Sequence, residues 1–414
     1  MRVLWFEVCV PQKFITNKTP IGGWQDSLEL LVRNYKDIEL GIAFEGKDDF
    51  QSKIIDGVYY FPIKQEYNFK QKIKNLYTWE VSKNYLLPKA LEIINEFKPD
   101  IIHVFGSEWC WGQVAKYTKT PVVIHMQGSI PPYNNAEYPP NYNIYDVYFH
   151  NGFNLKKNIF AYLNSLKMKS WKLQEEETLK TVSYYMGRTN WDKSIVELYN
   201  PKAKYFYCSE ALRPDFINSK IKWHSHNHTK IQLITTGCGS LWKGIDTIIK
   251  TAHLLKERGV NFEWKIVGSM PMKDFIENKE KLRFEEQNIK LLGFINADKL
   301  VQELISSDIY IHTAYIDNSP NSICEAQYLG VPIIATYVGG IPSLIENNVD
   351  GILIPANAPY TLANSIINLI QNQNKQCFLS KNAIIKAENR HNPEEIIRDL
   401  LLCYNEILQC NQNL

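Results

Sequence analysis

The chain alternates short apolar runs with amphipathic stretches of helical period. Apolar runs of strand length fall at 3–10, 38–44, 57–63, 101–105, 122–126, 183–186 and 204–208. Between them, helical spacing covers 25–34, 85–97, 111–117 and 190–198. A polar run at 224–229 interrupts the pattern. It resumes with apolar runs at 231–235, 264–267, 289–292, 309–311, 331–335 and 351–355. Helices are expected at 246–257, 297–306, 320–329 and 359–371, and 393–408 is amphipathic through Ile396, Ile397, Leu400, Leu401, Tyr404 and Ile407. Strands alternating with helices predict an α/β protein with parallel, doubly wound sheets. A length of 414 residues predicts two domains, placed at 1–220 and 230–390, with 391–414 as a terminal helix. No repeat of solenoid period is present.

One stretch concentrates the chemistry: Asp317-Asn318-Ser319-Pro320-Asn321-Ser322-Ile323-Cys324-Glu325-Ala326, then Leu329-Gly330-Val331-Pro332 and Gly339-Gly340. Ser319 is expected to cap a helix whose first residue is Pro320, where the missing N–H costs nothing. The free amides of Asn321 and Ser322 then make a site for an anion such as a diphosphate. Asp317 and Glu325 flank that helix start. Ionised carboxylates only accept hydrogen bonds, so they suit sugar hydroxyls and not phosphate.

This string, with Val338-Gly339-Gly340-Ile341-Pro342 after it, resembles the donor-site signature of family 4 retaining glycosyltransferases. The resemblance covers most of the second half of the chain and the first half loosely. It implies the GT-B architecture, two Rossmann-like domains facing across a cleft, with a final helix that crosses back to the first domain. The family signature is Glu-x7-Glu, so Asp317 is one methylene shorter than usual. The resemblance implies that Asp317 binds and orients the transferred sugar, and that Glu325 binds the ribose. In the loop Gly237-Cys238-Gly239-Ser240-Leu241-Trp242-Lys243-Gly244, family members carry an Arg and, five residues on, a Lys that neutralise the diphosphate. Lys243 matches the Lys, Gly239 lies between, and Cys238 stands where the Arg would be. Backbone groups around Phe294 and Ile295 are implied to hold the base. The glycine loop Gly22-Gly23 is implied to approach the donor phosphate or the acceptor. The expected substrates are a UDP- or GDP-linked hexose and a glycan or lipid-linked acceptor, with no cofactor and no metal. A non-catalytic partner subunit and a nucleotide-sugar epimerase of the same fold are the alternatives.

Ligands of such sheets bind at the carboxyl ends of strands. One such turn holds Gly106-Ser107-Glu108-Trp109. At the turn after 122–126, family members often have a His-Gly pair near the sugar. Here Gln127 precedes Gly128 and His125 lies two earlier, on the same side of the strand, so either can be the sugar or acceptor contact. Arg188 follows another strand and can meet an anion in the cleft or pair with Asp192.

Composition removes several classes. A net charge of +2 gives no whole-chain argument for nucleic acid. Eight cysteines without a Cys-x-x-Cys pair read as reduced thiols of a cytoplasmic protein. The first six residues read as a strand, not a leader, and no run approaches the ~20 apolar residues that span a bilayer. Lys64, Lys70, Lys72 and Lys74 with Tyr67, Phe69, Tyr77 and Trp79, and Lys156, Lys157, Lys167, Lys169 and Lys172 with Phe160, Tyr162 and Trp171, suggest either solvated helix faces or docking at the inner face of a membrane. The run 131–148 reads as an ordered acceptor-side loop. The alternating histidines at 224–228 read as a polar linker and not a metal site, because no carboxylate is near them in sequence.

Overall fold

The structure, a computed structural model, describes residues 1–15, 23–46, 50–149, 155–226 and 228–412. Gly22, singled out from the sequence, lies outside the described residues, and of Lys157 only the helical backbone is described. The strands of the first sheet are β1 (Arg2–Glu7), β2 (Glu39–Gly46), β3 (Lys53–Ile55), β4 (Val58–Lys64), β5 (Ile101–Phe105), β6 (Val122–His125), β7 (Tyr184–Gly187) and β8 (Lys204–Tyr207). They lie in the order β3-β4-β2-β1-β5-β6-β7-β8. Every pair is parallel except β3 with β4. Val3, Leu4, Trp5 and Phe6 are all buried because helices cover both faces, which is why β1 is a continuous apolar run.

The second sheet contains β9 (Ile231–Thr236), β10 (Phe262–Val267), β11 (Ile289–Gly293), β12 (Ile309–His312), β13 (Ile333–Thr336) and β14 (Ile352–Ile354). Its order is β11-β10-β9-β12-β13-β14, all parallel. Strand order reverses between β1 and β5 in one sheet and between β9 and β12 in the other, so each has a switch point where a ligand crevice is expected.

The chain crosses between domains earlier than residue 220. Leu212, Phe216 and Trp223 already pack in the core of the second domain, with the Trp223 indole donating to Ser307 O at 2.8 Å. The last helix, Pro393–Gln412, packs on the first sheet. There the Tyr404 hydroxyl lies 2.6 Å from His103 Nδ1 and accepts from Trp5 Nε1 at 3.1 Å.

Several expectations change. The run at 131–148 holds two short helices, Ile130–Asn135 and Ile144–Phe149. Pro131 and Pro132 sit in the first turn of one of them, where proline fits a helix. The 111–117 segment is a 3-10 helix, Cys110–Lys116. The lysine-rich region after it is one helix of 27 residues, Leu155–Thr181. Its aromatics divide. Phe160 and Tyr162 are exposed, but Trp171 turns inward to stack on Trp79, with centroids 4.6 Å apart. The histidine run is not a free linker: His226 Nε2 lies 2.7 Å from Ile305 O, and Asp308 stands 3.0 Å from His228. No helix among the described residues is long and apolar enough to cross a membrane.

Candidate functional site

The helix at the centre of the motif runs Asn321–Leu329, and its cap is Pro320, not Ser319. Pro320 has a non-helical ψ of 118°, so it is the half-in residue, and it brings no side-chain cap. The first-turn amides of Asn321 and Ser322 have no acceptor within the helix, as at any helix start. The Ser319 hydroxyl instead donates to Glu210 at 2.8 Å.

Asp317 is buried just before that helix. Lys243 Nζ stands 2.6 Å from its Oδ2, and His312 Nε2 lies 3.0 Å from the same oxygen. Burial alone would raise the pKa of Asp317, but Lys243 and His312 outweigh it and hold the carboxyl well below its ordinary range. Lys243 is fixed by its loop: Thr313 Oγ1 donates to Lys243 O at 3.0 Å, and the Tyr315 amide donates to Trp242 O at 2.7 Å. Gly244 lies so close to Thr313 that a Cβ there would sit 1.9 Å from its carbonyl oxygen. Gly339, with φ +51°, packs equally tightly on Asp317 O. Both are positions that only glycine fills.

Glu325 lies one helical turn further on, and Arg213 holds it in a fork, with Nε and Nη2 donating at 2.7 and 2.9 Å. Burial raises the Glu325 pKa, partly offset by Arg213. Such a fork leaves lone pairs on both carboxylate oxygens. Phe294 points its ring to solvent at 69% exposure, leaving only its backbone to face a ligand. Cys238 is buried in the core of the second domain, where burial pushes its thiol up to about 12. It is an apolar filler and supplies no charge in place of an arginine. Gly239 keeps its backbone open, with only Ser269 O within 4 Å of an added Cβ.

The first domain faces this site through Asn318. Its Nδ2 donates to Gln127 O at 3.0 Å and to Asp192 Oδ2 at 3.2 Å, and its Oδ1 accepts from Thr189 at 2.6 Å. Arg188 does not pair with Asp192 through its side chain; its Nη2 donates to Gln127 O at 3.4 Å. Only its backbone N–H reaches Asp192. Its guanidinium is buried 3.9 Å from Glu210 and over the Trp24 ring. Arg390 approaches the same Glu210 at 3.5 Å. Burial would raise Glu210, but Arg390 and Arg188 hold it well below the carboxylate range. Glu210, Cys324 and His391 are the one group of potential metal ligands among the described residues. With two guanidiniums on the carboxylate, that cluster suits an interdomain ion-pair network better than a cation.

His125 is fully buried, with Nε2 3.3 Å from Cys208 O and its ring against Trp24 and His103. Burial holds it neutral, well below its ordinary pKa. Gln127 instead lines a cavity of about 480 Å³. Glu108, Trp109, Tyr133 and Trp171 line it from the first domain and Trp242 from the second. Gly23 lies elsewhere, capping the helix Trp24–Val32, and its N–H donates to Asp26. Sequence reasoning missed His312, Asn318 and Arg213. His312 had a signal in the end of β12 five residues before Asp317, whereas Arg213 is 112 residues from Glu325 and had none.

Residues 217–386 match the model of the glycosyl transferases group 1 family. The amylovoran biosynthesis glycosyltransferase AmsK of Erwinia amylovora is 24% identical over 216 residues, 51% of this chain and 53% of that protein. The chain thus spans about half the length of the curated relatives it matches. Among solved structures, sucrose-phosphate synthase of Thermosynechococcus elongatus superposes with a TM-score of 0.72 at 13% identity, covering 99% of each chain. HepE of Anabaena, in complex with UDP and glucose, superposes at 0.61 and 15% identity over 100% of each. The fold is GT-B.

Proposed function

We propose that this chain, with a glycosyl transferases group 1 match across its second half and a GT-B fold throughout, is a glycosyltransferase. In this reading it moves a hexose-type sugar from a UDP- or GDP-linked donor to a glycan or lipid-linked acceptor, with retained configuration, in polysaccharide assembly. The observation that carries the reading is the convergence of Lys243, Asp317 and the uncapped start of the helix Asn321–Leu329 at the second switch point. The solved HepE complex with UDP and glucose supports a sugar nucleotide on this fold.

Lys243 and the amides of Asn321 and Ser322 stabilise the departing diphosphate, so the step needs no metal. Lys243 leaves Asp317 for the phosphates as donor enters, and Asp317 then accepts hydroxyls of the sugar. Arg213 aims Glu325 at the ribose. The hydrogen bonds of Asn318 to the first domain hold the cleft shut and limit hydrolysis. The protein acts in the cytoplasm, and the exposed Phe69, Ile73, Phe160 and Tyr162 beside Lys70, Lys72 and Lys156 suit an inner membrane face.

Cys238, turned inward where the family has a cation, favours the alternative of a non-catalytic subunit. Donor consumption across a panel of UDP- and GDP-hexoses decides between them. Wild type is expected to turn over one donor class, and Asp317→Asn to lose about 10²-fold. Equal turnover in both proteins removes Asp317 from the chemistry, and no turnover of any donor leaves the subunit reading.

A further inference from the structure

We propose that the cavity between the two switch points is the acceptor subsite, and that it accepts an uncharged sugar ring in preference to an acidic one. The word acceptor rests on the transferase reading; the preference for a neutral ring rests on the lining.

The first observation is the aromatic wall. Trp109 and Trp171 face the cavity, and Trp79 braces both from behind, edge-on to Trp109 at 4.4 Å and stacked on Trp171 at 4.6 Å. Tyr133 and Trp242, also in the lining, meet at right angles, 6.1 Å apart. A pyranose has a face of C–H groups and a rim of hydroxyls. Fixed indole faces match the first, because the negative π-cloud meets polarised C–H. The volume of about 480 Å³ falls within the about 300–1,000 Å³ typical of ligand pockets.

The second observation is unmet donors. Gln127 Nε2 and Trp109 Nε1 are buried without a hydrogen-bond partner, and both residues line the cavity. Buried donors without acceptors are rare in folded proteins, and a turn of either side chain toward the cavity would pair its N–H with a ligand hydroxyl. The third is charge. The only ionisable acids and bases among the lining residues, apart from the Cys9 thiol and the Tyr133 phenol, are Glu108 and Glu137; no Lys, Arg or His is present. Arg188 acts on the lining only from behind it: its guanidinium is buried, donating to Gln127 O at 3.4 Å with Glu210 3.9 Å away. An acceptor carboxylate or phosphate would therefore lose its hydration beside Glu108 and Glu137 and gain no cation in direct contact. Tyr133 stands within electrostatic reach of both Glu108 and Asp317, so the cavity adjoins the place proposed for the transferred sugar.

Saturation-transfer NMR on the full chain tests this, with methyl glucoside, methyl galactoside and methyl N-acetylglucosaminide against methyl glucuronide and methyl galacturonide. At least one neutral glycoside is expected to bind about tenfold or more tighter than its uronide. Trp171→Ala is expected to weaken it at least about tenfold. Gln127→Leu keeps the volume and is expected to weaken it too, so the test survives if Trp171→Ala fails to fold. Hexyl glucoside is expected to bind like methyl glucoside; binding by the hexyl compound alone would make this a lipid pocket and overturn the proposal. Uronides that bind as well as the neutral sugars, or neutral binding unchanged in folded Gln127→Leu and Trp171→Ala, also overturn it. UDP and GDP titrated into the same sample keep the two readings apart. Nucleotide binding without glycoside binding removes the subsite and leaves the transferase; glycoside binding without nucleotide does the reverse.

Discussion

Replacing Lys243 by Met keeps the length of the side chain and removes its charge. Asp317, 6% exposed, then keeps His312 at 3.0 Å and the Asn318 N–H at 3.2 Å, and loses its ammonium partner. Breaking a buried ion pair from one side costs about 3–5 kcal/mol. The Lys243 side chain is 26% exposed, so water already screens part of this pair, and about 2–3 kcal/mol is the better expectation. The loss is expected to depend on pH. In the wild type, burial holds the pKa of His312 below its ordinary value despite Asp317. Without Lys243, an imidazolium is the only cation left for Asp317, so the folded-state pKa of His312 rises. A raised histidine pKa stabilises at low pH and loses that contribution as pH rises through the folded value. Urea unfolding of Lys243→Met should therefore show a larger deficit at pH 8 than at pH 6. If Lys243 meets the diphosphate as proposed, the same substitution is expected to remove a charge-assisted hydrogen bond, about 1.5–3 kcal/mol, or about 10- to 150-fold in nucleoside diphosphate affinity. A deficit equal at both pH values would refute the Lys243–Asp317–His312 coupling, and an unchanged affinity would refute the role of Lys243.

Arg213→Ala should cost about 3 kcal/mol by leaving Glu325 buried and alone, and adding Glu325→Gln should recover part of it. Urea midpoints measure this, and a double variant no better than the single would contradict the pair. Asn318→Ala removes the bonds to Thr189, Gln127 and Asp192 that join the domains, so small-angle scattering should show a larger radius of gyration. An unchanged scattering profile would mean that Asn318 does not hold the cleft closed. Burial drives the pKa of His103 down to about 3 and of His391 to about 4. Both lie below the unfolded value, so their neutral forms stabilise fully above pH 6.5. That contribution falls as pH drops, by roughly 1.5 kcal/mol each between pH 6.5 and 5. His103→Gln should flatten the melting temperature against pH over that range, and an equally steep curve would count against the assignment.

The parts of the site legible in sequence are those that depend on near neighbours. β5 lies at 101–105 as its apolar run predicts, and the helix after Asp317 begins one residue late because Pro320 takes the cap. The acid, the lysine and the helix start were readable because each sits at the carboxyl end of a strand. What pairs with them was not. Arg213 reaches Glu325 across 112 residues, and Arg188 finds Glu210 where Asp192 was the nearer acid in sequence. Strand alternation put His125 and Gln127 on one side, but it could not say that Trp24 and Cys208 enclose the first while the second opens on a cavity. The tryptophans read as surface aromatics form the braced wall of that cavity because a helix of 27 residues, with no single apolar stripe, brings Trp171 to Trp79.

The most direct test of the central claim is calorimetry of the full chain with UDP and GDP. One of the two should bind at one site per chain, and Lys243→Met should weaken that site about tenfold or more. If neither nucleotide binds the wild type, or if both proteins bind alike, no diphosphate rests on Lys243 and the start of the helix Asn321–Leu329.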